Sequence, residues 1–316
     1  MKHLMARSLV NAITTLIAIT TLGGCTATSH PVTRSTLGRP SSSAEMERLI
    51  DQPGPIDLNS IASADWVVPL AGLLNLNSDA AKKAHLTDRP EPIQVYAHVL
   101  RHPQHGIYLV DTGVSQKLVD DPSKVGLSWM LLKAIPIKEM KIRKSTADIL
   151  KDFDNNLAGV FFTHLHIDHI SGLPDIPASV PLFIGPSETN EKSMVNLVVS
   201  GPTDHLLEGK QVLQEWPFQP DPQQQFEGIV DIFGDGSVFA ISAPGHTSGS
   251  VAYLVRTRNG SVLLTGDTCH TRWGWENTVE PGEFTRDAPR NLINLKRLKA
   301  LVARHPNIEV RLGHQQ

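Results

Sequence analysis

At 316 residues the chain has room for one large domain or two small ones and is long enough to bury a sizeable core. Its 29 basic and 32 acidic side chains nearly balance, to a formal net charge of -3. No Lys/Arg run interrupts them, so the electrostatic footprint of a nucleic-acid binder is absent.

Lys2 and Arg7 precede a moderately apolar stretch from Leu9 to Leu22 that closes in Leu22-Gly-Gly-Cys25. This has the layout of a secretory signal and is too short for a comfortable membrane span. The closing tetrapeptide resembles a bacterial lipoprotein cleavage box, whose cysteine becomes the lipidated first residue. The resemblance implies a signal peptide over residues 1–24, a lipid anchor at Cys25, and export to the periplasm or the outer membrane, toward which Thr26 in place of Asp leans. A plainly cleaved signal and an uncleaved anchor are the alternatives. Export implies an oxidising compartment, yet only Cys269 remains besides the lipidated cysteine, so no intramolecular disulfide is expected. Residues 25–43, rich in Ser, Thr and Pro, read as a tether, and residues 44–316 as a single folded domain.

From Ala44 to Pro92, Pro and Gly punctuate short apolar pieces. Among them, Trp66-Val-Val-Pro-Leu70 and Leu73-Leu-Asn-Leu76 suit either a substrate-facing wall or core-packing loops. Ile93–Leu100 and Ile107–Val110 predict the strands of a hairpin turned at His102–Gly106, with Asp111-Thr-Gly113 closing the second. His98, His102 and His105 have no chelating company there. Leu127, Met130, Leu131 and Leu132 predict a helix, and Ser145 with Asp148 starts another that reaches Phe153. A strand at Gly159-Val-Phe-Phe162 follows, then a short one at Leu182–Ile184, a helix over Glu188–Val199, and strands at Val212–Trp216, Val238–Ser242, Val251–Val255 and Val262–Thr265. Asp287 caps a last helix, Pro289–Arg304, whose Leu292, Leu295, Leu298 and Val302 recur at helical spacing. Ile308–Leu312 is the final strand.

The chemistry concentrates in Thr163-His-Leu-His-Ile-Asp-His169, directly after the Gly159 strand. Three histidines and an aspartate within six positions call for a shared partner, and imidazoles interleaved with a carboxylate suit zinc and its first-row neighbours. Downstream, three strands each end in a glycine followed by a metal-type side chain: Gly245-His246, Gly266-Asp267 and Gly313-His314. Glycine permits the sharp turn and close backbone approach that aim the next side chain at a common point.

These residues resemble the pattern of the metallo-β-lactamase superfamily, His-x-His-x-Asp-His, a lone His, a lone Asp and a final His, with all seven positions present. The resemblance implies an α/β fold of the αβ/βα sandwich type, two mixed sheets face to face with helices outside. Strand-then-helix alternation by itself says only α/β. It implies further that His164, His166 and His246 hold one divalent metal ion, that Asp168, His169 and His314 hold a second, and that Asp267 bridges the two. Zinc is the expected metal, and iron, manganese or cobalt suit the same donors. A water shared by two such ions loses its proton near neutral pH and attacks an ester carbonyl or phosphoryl centre, with Asp168 placed to move a proton to the leaving group. The Gly-x-Ser-x-Gly and Ser-x-x-Lys signatures of serine enzymes are missing from the sequence.

Within the superfamily, Leu109-Val-Asp-Thr-Gly113, Pro244-Gly-His-Thr-Ser-Gly249, Leu264-Thr-Gly-Asp267, Leu295-Lys-Arg-Leu298 and Gly313-His314 resemble the N-acyl-homoserine lactone lactonases. That branch implies a small ester or lactone as substrate. The bridging Asp267 argues against a true metallo-β-lactamase. Those lactonases carry a tyrosine three residues after the bridging aspartate; here His270 stands there and is read as the catalytic group that supports the substrate carbonyl. Organophosphate-hydrolysing relatives can also have histidine there, so a promiscuous esterase or phosphotriesterase is the alternative, ahead of a β-lactam hydrolase or a binding protein without turnover. Trp129, Trp273, Trp275 and Phe284 are candidates for an acyl-binding wall, core packing being the other reading. Cys269 is expected to pack as a small apolar side chain.

Overall fold

A computed structural model describes residues 26–125, 137–190 and 196–316. The strands in chain order are β1 (Val32–Arg34), β2 (Arg39–Ser41), β3 (Asp57–Pro69), β4 (Pro90–His102), β5 (Gly106–Val110), β6 (Lys141–Ile142), β7 (Gly159–Phe161), β8 (Leu182–Ile184), β9 (Leu213–Glu215), β10 (Ile229–Asp231), β11 (Val238–Ser242), β12 (Val251–Thr257), β13 (Gly260–Leu264) and β14 (Glu309–Arg311). Among the described residues they form an eight-stranded sheet ordered β1-β9-β8-β7-β5-β4-β3-β6 and a six-stranded sheet ordered β14-β13-β12-β11-β10-β2. Both sheets are mixed. The first is parallel from β1 through β5 and antiparallel beyond, whereas the second is antiparallel except for β13 with β14.

The period of two along each strand explains how the sheets stack. In β11, Val238 and Ala240 turn toward the other sheet while Phe239 and Ile241 turn toward helices; along β7, Phe161 faces inward and Val160 and Phe162 face out. The inner layer thus joins Leu100, Tyr108, Phe161, Phe183 and Trp216 to Val230, Tyr253, Val255 and Leu264. Helices α1 (Ser43–Ile50), α2 (Leu70–Leu73), α3 (Asp79–Lys83), α4 (Gln116–Asp120), α5 (Thr146–Lys151), α6 (Ile167–Ile170), α7 (Asn196–Leu207), α8 (Arg272–Asn277) and α9 (Ala288–Arg304) lie outside. Met46 and Ile50 of α1 and Leu298 and Leu301 of α9 cover the second sheet, and Ile149 and Leu150 of α5 with Leu206 and Leu207 of α7 cover the first. This is the αβ/βα sandwich in which both sheets need two apolar faces.

The predicted caps of two helices form as expected: Ser145 Oγ accepts from Asp148 N at the start of α5, and the Asp287 side chain accepts from Arg290 N at the start of α9. Three segments differ. Within the expected tether, β1 pairs in parallel with β9 and β2 antiparallel with β10, each supplying an edge to a sheet, and Ser42 then caps α1 through a capping box. The punctuated region before Pro92 contains the long β3, whose alternation is broken by a register shift between Ala62 and Ala64. Glu188 precedes α7 in a turn instead of belonging to a helix. Residues 1–24, Cys25, Trp129 and the helix expected at Leu127–Leu132 lie outside the described residues. Among the described residues no helix is long and apolar enough to cross a membrane.

Candidate metal centre

Four strand ends converge. The turn after β7 carries His164 and His166 into the short α6, which holds Asp168 and His169; β11, β13 and β14 deliver His246, Asp267 and His314. Helix α9 pins two of these loops: Asn294 Nδ2 donates to Pro244 O at 2.6 Å, Asn291 Nδ2 to Thr268 O at 2.9 Å. Gly313 has to be glycine for steric reasons, because a Cβ there would lie 2.2 Å from Asp267 Oδ1.

Asp267 Oδ2 is the focus. It lies 3.6 Å from His164 Nε2, 3.3 Å from His169 Nε2, 3.4 Å from His246 Nε2, 3.4 Å from His314 Nε2 and 2.9 Å from His270 Nε2. His166 Nδ1 stands 2.9 Å from His246 Nε2, and Asp168 Oδ2 stands 3.3 Å from His314 Nε2. His166 and Asp168 are half-buried; the other six are buried.

Five of the rings are aimed by their other nitrogen. His169 Nδ1 lies 2.8 Å from Asp111 Oδ2, His246 Nδ1 3.0 Å from Thr285 Oγ1, His270 Nδ1 3.0 Å from Leu73 O and His314 Nδ1 3.0 Å from Gln94 O. The Thr163 hydroxyl donates to Asp111 Oδ2 and faces His164 Nδ1 at 3.1 Å. Partners of this kind fix the tautomer of a metal-ligating imidazole and leave its Nε2 lone pair for the metal.

The electrostatics of the side chains divide the rings. Burial holds His164 and His246 well below the ordinary imidazole range, so both are neutral. Burial pulls His169 and His314 the same way, but the carboxylates, Asp267 foremost, hold both above it. Burial would raise Asp267, yet the surrounding rings, His270 and His169 first, keep it well below the carboxylate range.

The donors fit a cation. His164 Nε2, His169 Nε2 and Asp267 Oδ1 are buried with no hydrogen-bond partner, at about 1–3 kcal/mol apiece if nothing compensates them. Two ligands each about 2.0–2.2 Å from one ion stand roughly 2.8–3.6 Å apart for angles between square and tetrahedral, which is the spacing around Asp267 Oδ2. The ligand atoms of His164, His166, His246 and Asp267 lie within 4.8 Å of one another, as do those of Asp168, His169 and His314.

The aromatic candidates separate. Trp275 is half-buried against Cys269, Leu295 and Leu312, with Lys299 Nζ 5.6 Å above its ring, an environment that agrees with the core-packing reading. Trp273 packs on the outer core of the first sheet. Phe284 is 49% exposed, lies against Gly72 of α2 and precedes the Thr285 that aims His246. Cys269 is buried beside Leu295 and Leu312, and burial pushes its thiol up to about 12, the state of an inert apolar side chain.

Two carboxylates that the sequence reading did not assign hold the loop. Asp111 accepts from Thr163 N and Oγ1 and faces His169, with its own φ at 55° in the left-handed region. Its place in the Asp-Thr-Gly113 motif was the available signal. Glu188 accepts from Leu165 N at 2.8 Å, Thr247 Oγ1 at 2.7 Å and Gly249 N at 2.8 Å, tying the His164 loop to the His246 loop.

Residues 90–314 match the model of the metallo-beta-lactamase superfamily, and the chain belongs to that superfamily. It is similar to the N-acyl homoserine lactonase AttM of Agrobacterium fabrum, 28% identical over 153 residues that cover 48% of this chain and 56% of AttM. It is also similar to the metallo-hydrolase mfmC of Annulohypoxylon moriforme, 28% identical over 127 residues that cover 36% of this chain and 32% of that one. The chain therefore spans from about a third to somewhat over half the length of these curated relatives. A solved quorum-quenching N-acyl homoserine lactone lactonase shares the fold, with a TM-score of 0.57 at 20% identity over 84% of this chain and 94% of the other.

Proposed function

We propose that the protein is a dinuclear metallohydrolase that opens lactones of the N-acyl-homoserine type. The observation that carries the reading is the convergence of His164, His169, His246 and His314 on Asp267 Oδ2, with His166 and Asp168 completing two donor groups. His164, His166 and His246 would hold one divalent ion, Asp168, His169 and His314 the other, and Asp267 both. Zinc suits these donors best, and iron, manganese and cobalt are compatible. Such a pair supplies an activated water and polarises an ester carbonyl.

The chain's own residues do the remaining work. Asp168 is the half-buried carboxylate at the centre, 3.3 Å from His314 Nε2, and on this reading it carries the proton that the departing alkoxide of an opened lactone needs. Phe284 offers an exposed aromatic surface beside the centre for an acyl tail, each buried methylene contributing about 0.8 kcal/mol. The likeness to AttM supports a lactone over other esters.

The test is one panel: acyl lactones of increasing chain length beside an aryl ester, a phosphotriester and a β-lactam. Lactone kcat/KM is expected to lead and to rise several-fold per two added carbons, toward a ceiling of about fifteenfold for two methylenes fully buried at about 0.8 kcal/mol each. A metal-loaded protein inert on every lactone would refute the substrate assignment, and phosphotriester preference would favour the esterase reading. Elemental analysis is expected to find two ions per chain. The Leu22-Gly-Gly-Cys25 box supports an exported, lipid-anchored protein, and mass spectrometry of the native N-terminus is expected to find Cys25 lipidated.

A further inference from the structure

His270 shares the design of the buried ligands. It is 2% exposed, and its ring meets those of His246 and His314 at centroid distances of 5.0 Å and 5.3 Å. Its Nδ1 stands 3.0 Å from the carbonyl oxygen of Leu73. A carbonyl only accepts, so Nδ1 carries a proton and Nε2 is the ring nitrogen left to face the centre. That nitrogen stands 2.9 Å from Asp267 Oδ2, closer than His164, His169, His246 or His314 come to the same atom. The ligand atoms of Asp267, His270 and His314 lie within 4.8 Å of one another, and the backbone couples the two histidines, His314 N donating to His270 O at 3.2 Å.

We infer that His270 is an eighth inward-facing metal ligand, grouped with Asp267 and His314, and not the hydrogen-bond donor to a substrate carbonyl expected from the sequence. With Nδ1 committed to Leu73 O, an Nε2 that ligates a cation has no N–H left for a substrate carbonyl. The inference rests on the metal-centre reading above but not on the lactone assignment.

Zinc titration of the chelator-treated protein against a chromophoric chelator, together with the visible spectrum of the cobalt-loaded protein, tests it. His270→Ala and His270→Phe are each expected to weaken one of two zinc equivalents by at least about tenfold, to leave the other within roughly twofold, and to change the cobalt absorption. Circular dichroism of the variants without metal establishes that they are folded; should the smaller side chain fail that check, His270→Phe decides. Zinc affinities like the parent's with superimposable cobalt spectra would overturn the ligand role, even if kcat/KM fell. A parent protein that takes up no stoichiometric metal would instead sink the metallohydrolase reading, a separate result.

Discussion

The two sides of the histidine focus are held by different means. On the side of β7, carboxylate side chains do it: Asp111 fixes Thr163 and His169, and Glu188 fixes Leu165 between His164 and His166. On the far side, two rings are aimed by backbone carbonyls, His270 by Leu73 O and His314 by Gln94 O, and one by a hydroxyl, His246 by Thr285. A carboxylate anchor is removed by one substitution, whereas a carbonyl anchor survives any substitution that leaves the backbone in place. The β7 side should therefore be fragile and the far side tolerant.

Asp111→Ala tests the fragile side most severely. It leaves Thr163 N, Thr163 Oγ1 and His169 Nδ1 without their buried acceptor, and removing one partner from a buried charged cluster costs about 3–5 kcal/mol. Thermal unfolding is expected to show that loss, and metal analysis a fall in affinity of about 10–100-fold. A variant with parental stability and metal content would break the comparison.

Glu188→Gln is the next step down. The amide keeps one acceptor but turns a donor toward N–H and O–H groups that are themselves donors, at a cost of about 1–3 kcal/mol. Urea unfolding measures it. Loss of metal without loss of stability would assign Glu188 to the centre alone and not to the joint between the two loops.

A buried histidine outside the centre gives a smaller, pH-dependent effect. Burial pushes His98 down to about 3 from 6.5, with the Arg311 guanidinium opposing its charge as well, and the ring meets Ser60 Oγ through Nδ1. Below pH 6.5 the unfolded chain takes up a proton that the folded chain refuses, so stability falls as pH falls from 6.5 toward 3. By pH 5 the loss is about 2 kcal/mol. Urea unfolding of chelator-treated protein at pH 7 and pH 5 is expected to show His98→Gln, neutral throughout, losing about 2 kcal/mol less than the parent between the two values; equal losses in both proteins would contradict the assignment.

The same contrast decides what the sequence made legible. The seven donors stand out because they crowd into one loop or follow a glycine at a strand end, and the sandwich is legible where strands alternate cleanly, as in β11. Glu188 is hidden because it reads as the start of the apolar stretch that follows it, while the structure places it in the turn over residues 185–190, where its carboxylate is spent on backbone and hydroxyl donors from other loops. Leu73 and Gln94 are invisible in principle, since every residue has a carbonyl and only the fold selects which one meets a ring. Strands β1 and β2 escape notice because three residues in a Ser/Thr/Pro-rich stretch show no period, and β3 because the irregularity beside Ser63 breaks its own.

The smallest effect is expected where the two kinds of anchor are compared on the tolerant side alone. Thr285→Val keeps the size of the side chain but takes away the hydroxyl facing His246 Nδ1. The ring loses the partner that selects its tautomer, and zinc affinity is expected to fall about tenfold, the lower end of what outer partners contribute. Thr285→Ser should restore it. Gln94→Ala, by contrast, removes a side chain that among the described residues bonds to Asp65 and Tyr96, while the Gln94 backbone stays in β4, its N–H donating to His314 O and its carbonyl accepting from His314 Nδ1. Zinc affinity of that variant is expected to match the parent. Competition titrations of the three variants in one buffer measure both halves of the contrast, and a Gln94→Ala protein that binds zinc as weakly as Thr285→Val would show that backbone anchoring gives the far side no special tolerance.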